Sequence, residues 1–217
     1  TKGSIAIYLA ALLELASKGP RPRETEIILT ALVDEENGQR GSRAFAARRM
    51  PADLAIVGEP TRLKVVTAHK GDLWLRITTH GRSAHGSKPH LGRNAILSMA
   101  RIVEELETNY ATALKRCTHP LLGHATINVG TITGGRQPNI VPDACEISID
   151  RRTVPGESDA AVCRELRALL RRCDRSAELI DTKNAPCPAL ETDPDLPLVH
   201  QLMRCAGQRQ PAGVDYF

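Results

Sequence analysis

The hydrophobic pattern of the chain changes once, near residue 64, and that change limits what the chain can fold into. Before it, apolar residues come in unbroken runs. "EIILTALV" (26–33) and "DLAIVG" (53–58) offer no alternating polar position to water, which fits strands covered on both faces. "GSIAIYLAALLELAS" (3–17) is apolar almost all round, as a buried helix is, and "SRAFAARRM" (42–50) reads as a short helix stopped before Pro51. Helix, strand, helix, strand with short loops predicts a parallel α/β sheet.

After Glu59-Pro60-Thr61 the period becomes two. "DLWLRITTHG" (72–81) alternates apolar and polar residues, as a half-exposed antiparallel strand does. "GRNAILSMARIVEELETNY" (92–110) is an amphipathic helix with Ile96, Met99, Ala100, Val103 and Leu106 in one stripe. Two more alternating strands follow, "ATINVGTITGG" (125–135) and "ACEISIDRRTV" (144–154), then a second amphipathic helix (157–173) and a last strand, "SAELID" (176–181). Strand, helix, strand, strand, helix, strand is the split βαβ, ferredoxin-like order. Beyond residue 185 the chain is Pro-rich and ends in a predicted helix, "LPLVHQLMRCAG". The expected division is an incomplete α/β domain over 1–64, an inserted ferredoxin-like module over 65–183, and a return into the α/β domain over 184–217.

Charge narrows the function. The 217 residues carry a net +4, but the basic residues are scattered among acidic ones and aromatics make up only 3%, which argues against a nucleic-acid surface. No apolar run approaches the ~20 residues of a membrane span. Six cysteines, at 117, 145, 163, 173, 187 and 205, show no C-x-x-C spacing and read as free thiols in a reducing, cytoplasmic compartment.

The first predicted strand ends in Asp34, Glu35 and Glu36. Ligands of open α/β sheets gather beyond the carboxyl ends of strands. Two readings stay open on this stretch: the acids cap the next helix, or they hold a cation and activate its water. Glu59 ends the second predicted strand in another carboxylate, which is where a shared metal would find a ligand. Of His80, His85 and His90, His85 sits between Ala84 and Gly86 in a Gly-rich loop and is placed to donate to a substrate oxygen. Asn139 lies in a second Gly-rich turn, and Arg151 and Arg152 end a strand. Side chains alternate along a strand, so one of the two arginines clamps a carboxylate and the other is left to solvent.

Six blocks in order resemble the di-zinc amidohydrolase/metallopeptidase family of acetylornithine deacetylase, succinyl-diaminopimelate desuccinylase, aminoacylase and glutamate carboxypeptidase. They are "TKGS", "DEENGQRG", "GEPT", "GRSAHGSKPHLGRNAI", "GGRQPNIVPD" and "DRRTVPGE". The resemblance implies a zinc-peptidase-like catalytic domain with a ferredoxin-like lid that dimerises. It implies Glu35 as general base, Glu36 and Glu59 as ligands to two Zn2+ ions (Co2+ as substitute), and His85 as a lid histidine reaching the partner's active site. It implies that Asn139 and Arg152 hold the carboxylate of an N-acyl amino acid or short peptide. The bridging Asp expected just before Thr1 and two histidine ligands are missing, so both ends are expected to be cut and this segment alone is expected to be inactive. The alternative is a non-catalytic relative or fragment serving as a dimerisation or ligand-binding module.

Overall fold

The structure is a computed structural model that describes residues 2–18, 23–35, 38–182 and 186–215. The chain forms two compact units, Thr1–Leu63 and Lys64–Phe217.

In the first unit, α1 (Lys2–Lys18) and α2 (Arg40–Ala47) are helical. The helix expected over 3–17 is present, but none of its residues is buried. The expected buried strands at 26–33 and 53–58 are not strands, and Ile27, Val33, Ile56 and Val57 are exposed. A strand exists only through hydrogen bonds to a neighbour. No such ladder is present among the described residues of this unit, so apolar composition alone does not make a sheet there. The second helix ends at Ala47, before the expected residue 50, and Arg49 adopts a positive φ of 49°.

The second unit begins with β1 (Val66–His69) and β2 (Gly71–His80). A 3-10 turn at Pro89–Leu91 leads to α3 (Ala95–Glu105), whose Asn94 side chain caps the amides of Ile96 and Leu97. The helix continues through a π-turn at Leu106–Tyr110 into α4 (Ala111–Leu114). A small hairpin of β3 (Thr118–His119) and β4 (Gly123–His124) precedes β5 (Thr126–Gly134) and β6 (Ala144–Thr153). Then come α5 (Asp159–Cys173), capped by Ser158, β7 (Glu178–Asp181), β8 (Leu190–Glu191), α6 (Pro197–Cys205) and β9 (Ala212–Val214).

The main sheet has the order β5-β6-β2-β7, antiparallel throughout. From β2 to β7 the elements run strand, helix, strand, strand, helix, strand, with α4 continuing α3 and apart from the small hairpin. A second, mixed sheet pairs β1 antiparallel with β8 and parallel with β9. The described residues thus form an α/β chain with an antiparallel main sheet and a smaller mixed one.

Alternation makes the core. Leu73, Leu75, Ile77 on β2 and Cys145, Ile147, Ile149 on β6 point to one face, where α3 and α5 supply Met99, Ile102, Leu106, Val162, Leu166 and Leu170. Of the expected stripe, Met99 on α3 and Leu106 in the π-turn are buried and Val103 packs partly against them, whereas Ile96 and Ala100 are exposed and Ala95 and Ile102 complete the buried line. Ile96 and Leu97 are left exposed beside it.

Candidate functional site

Of the three acids, Asp34 is settled. Its Oδ2 accepts from the backbone N–H of Arg40, at the start of α2, at 3.2 Å, and from Arg40 Nε at 2.9 Å. The cap reading therefore holds for Asp34. The Arg40 side-chain hydrogen bond, followed by its backbone N–H, holds this carboxyl below its ordinary value. Glu35 follows, exposed, at the turn. Glu36 lies outside the described residues. Glu59 is exposed, and its carbonyl accepts from the Thr61 N–H at 2.9 Å. Among the described residues, no three His, Cys, Asp or Glu side chains are grouped to hold a metal ion. The described residues therefore do not by themselves fit the implied zinc pair.

His85 and Asn139 are brought together across more than fifty residues of chain. The Gly86 N–H donates to the Asn139 carbonyl at 2.7 Å, Val141 N–H to the Ala84 carbonyl at 2.9 Å, and His85 forms an isolated β-bridge with Ile140. Gly86 favours this close approach, because a Cβ there would stand 3.1 Å from three Asn139 backbone atoms and push them back by a few tenths of an ångström. The Ser87 N–H donates to His85 Nδ1 at 3.2 Å, and the Ser87 hydroxyl lies 2.8 Å from the same nitrogen. An Nδ1 that accepts carries no proton, so the neutral ring is protonated on Nε2. His85 is exposed, and that N–H is available to an incoming oxygen.

Arg152 is elsewhere. Its register partner is Asp72 at the start of β2, whereas His85 lies beyond His80 at the other end. Eight residues of strand, roughly 26 Å, separate Asp72 from His80. Arg152 directs Nε (3.1 Å) and Nη2 (2.9 Å) to Asp150 Oδ2, and Nη1 stands 3.6 Å from Asp72 Oδ2.

The expectation that Arg151 is solvated is wrong. Arg151 is 0% exposed on the helix-covered face. Its guanidinium pairs with Glu157, donates to the Arg152 carbonyl, and reaches the Tyr110 hydroxyl at 3.3 Å. Tyr110 also donates to Glu165 at 3.2 Å, and Glu157 accepts from the Val154 N–H at 2.9 Å. Burial pulls the Arg151 pKa down, but the hydrogen bonds to Glu157 and Tyr110 outweigh it and leave it raised. The sequence signal for this was the alternation itself: Arg151 shares the parity of Cys145, Ile147 and Ile149.

Residues 67–177 match the M20 peptidase dimerisation domain family. The chain belongs to that family. The resemblance carried by the six blocks is to the metallopeptidases in which this domain occurs, and relatives agree with it. An acetylornithine deacetylase of Yersinia pseudotuberculosis is 32% identical over 96% of this chain and 54% of its own length. A protein named probable carboxypeptidase from Aspergillus clavatus is 35% identical over 76% of this chain and 41% of its own. Thus the chain spans about half the length of the curated relatives it matches. Among solved structures, a tripeptidase of Staphylococcus aureus aligns with a TM-score of 0.66 at 19% identity, covering 85% of this chain and 48% of that one. Aminopeptidase PepT of Bacillus cereus aligns with a TM-score of 0.63 at 22% identity, covering 85% and 49%. These likenesses show the fold. In this dimerisation-domain family member, no helix among the described residues is long and apolar enough to cross a membrane.

Proposed function

We propose that the chain belongs to a cytoplasmic, metal-dependent amidohydrolase that cleaves the amide bond of N-acyl amino acids or short peptides. The division into 1–64, 65–183 and 184–217 belongs to this reading, with the ferredoxin-like module as an inserted lid. Glu36 and Glu59 would hold part of a zinc pair, completed by ligands outside this sequence. In the reaction Glu35 takes a proton from the attacking water and passes it to the leaving amine. His85 donates its Nε2–H to the amide oxygen, where charge develops in the transition state. Asn139 and Arg152 fix the substrate carboxylate.

The observation that carries this reading is the separation within one lid. His85 with Asn139, and Arg152, stand at opposite ends of the same sheet. A small substrate cannot touch both in one chain. Two copies remove the difficulty, each giving its His85 and Asn139 to the other's site. The surface suits a homodimer: β5 is an edge strand, and Ile132 on it and Leu97 on α3 are 59% and 60% exposed. Arg152 must also loosen its contact with Asp150 to accept a substrate carboxylate.

The test is hydrolysis of a panel of N-acyl amino acids by the full-length protein with added zinc. Wild type turns over at least one, and Glu35→Ala lowers kcat by about a hundredfold or more. Undiminished activity in Glu35→Ala removes Glu35 from the base role. A second reading, a non-catalytic dimerisation or ligand-binding module, is favoured by the family match lying within residues 67–177. It prevails if the full-length protein hydrolyses nothing in the panel yet dimerises.

A further inference from the structure

Beside His85 lies a cavity of about 540 Å³, within the range of small-molecule sites. Its walls include Pro89, Ile96, Ile140 and Val141, and among its lining residues Arg136 alone is charged. His85 stands at its rim, because Gly86, the next residue, and Ile140, its β-bridge partner, both line the space. Arg136 leaves the turn made by Gly135, whose φ of +73° only a glycine adopts without strain. The Arg136 side chain is 79% exposed and forms a loose ion pair with Asp143 at 3.7 Å, longer than a hydrogen bond, which a ligand carboxylate can displace.

The surroundings share one sign. Segments 81–94 and 134–143 carry Arg82, Lys88, Arg93 and Arg136 against the single carboxylate of Asp143. Arg93 is already committed, donating to the His80 carbonyl and the Ser176 hydroxyl. Arg136 is therefore the cation best placed to meet a ligand in this cavity.

We propose that Arg136 is a specificity residue that reads a second carboxylate on the substrate, at the far end of an apolar chain lying in this cavity. The proposal rests on the amidohydrolase reading and names its substrate class. A guanidinium binds a carboxylate through two parallel hydrogen bonds, while the apolar walls take the methylenes between that carboxylate and the amide. A dicarboxylic acyl group such as succinyl, or an acidic side chain, meets this description. An acetyl group does not, since it leaves Arg136 in water.

The test uses this chain, wild type and Arg136→Gln, titrated with N-succinylglycine, N-acetyl-L-aspartate and N-acetylglycine. The readout is the amide resonances of Gly86, Gly135 and Asn139. Wild type binds one of the two dicarboxylates at least about tenfold more tightly than N-acetylglycine, and which one tells acyl group from side chain. In Arg136→Gln the ratio falls to about one. Equal affinities in wild type, no binding of any of the three, or a preference that survives the substitution each overturn the proposal. The same ratio in kcat/KM is then measured on the full-length protein. If the chain binds selectively but the full-length protein hydrolyses none of the three, the amidohydrolase reading fails and the Arg136 assignment stands.

Discussion

The backbone N–H of Gly86 donates to the carbonyl oxygen of Asn139 at 2.7 Å, and this bond fixes the loop of one proposed substrate-binding residue to the loop of another. It holds His85 next to Ile140, and Ser87 then sets the imidazole tautomer.

That tautomer is measurable. Nitrogen-15 spectra of the histidine rings at a pH above their titration should show His85 protonated on Nε2. In Ser87→Ala the hydroxyl contact is lost but the backbone donor stays, so Nε2–H remains dominant. A ring found protonated on Nδ1 in wild type would contradict the geometry.

Arg151 is a buried charge whose partners decide its cost. Arg151→Met leaves Glu157 without its cation and should cost about 3–5 kcal/mol. The double variant Arg151→Leu, Glu157→Leu removes both charges and should recover most of that loss. Urea unfolding of the three proteins checks this, and a double variant no more stable than Arg151→Met would refute the pairing.

Asp34 predicts a pH dependence of the first turn of α2. Its folded pKa is depressed by Arg40, so the cap is fully present above the unfolded value of about 3.9. The cap is lost as pH falls through the lower folded value. Hydrogen-exchange protection of the Arg40 amide should hold from pH 7 to near 4 and then decline. In Asp34→Ala it should be weak at every pH.

The cysteines should separate by reactivity. Cys117 and Cys205 are exposed, whereas burial pushes the thiols of Cys145 and Cys163 up. Less thiolate and less access both slow alkylation. Iodoacetamide at pH 8 should label Cys117 and Cys205 first, with mass spectrometry finding Cys145 and Cys163 modified only after denaturant is added.

The proposed dimer has a direct test in light scattering. Wild type should run at twice the 23.6 kDa chain mass. Leu97→Glu and Ile132→Lys place charges on exposed positions, so each should give a folded monomer. A wild-type monomer would remove the shared-site reading.

Much of the second unit was legible because its signals are local. The period-two strands, the amphipathic helices and the order of elements all follow from neighbours within one or two turns of chain. The first unit was less legible. Its apolar runs look like buried strands, but ladder bonds need a partner that the described residues of this unit do not supply. The stripe of α3 was read partly right: Met99 and Leu106 are buried as expected, but Ala95 and Ile102 take the places given to Ile96 and Ala100, since all four are apolar and only packing chooses among them.

By itself the sequence determined the alternation of β2 and β6, the helices that cover them, and the motif blocks that place the chain in its family. Tertiary structure alone decided that the buried Arg151 pairs with Glu157, that Asp34 accepts from the first amide of α2, and that His85 meets the Asn139 loop far from Arg152. Alternation is set by short-range sterics and hydrogen bonds. A contact between residues fifty positions apart depends on which faces pack together, and no local window of the sequence contains that choice.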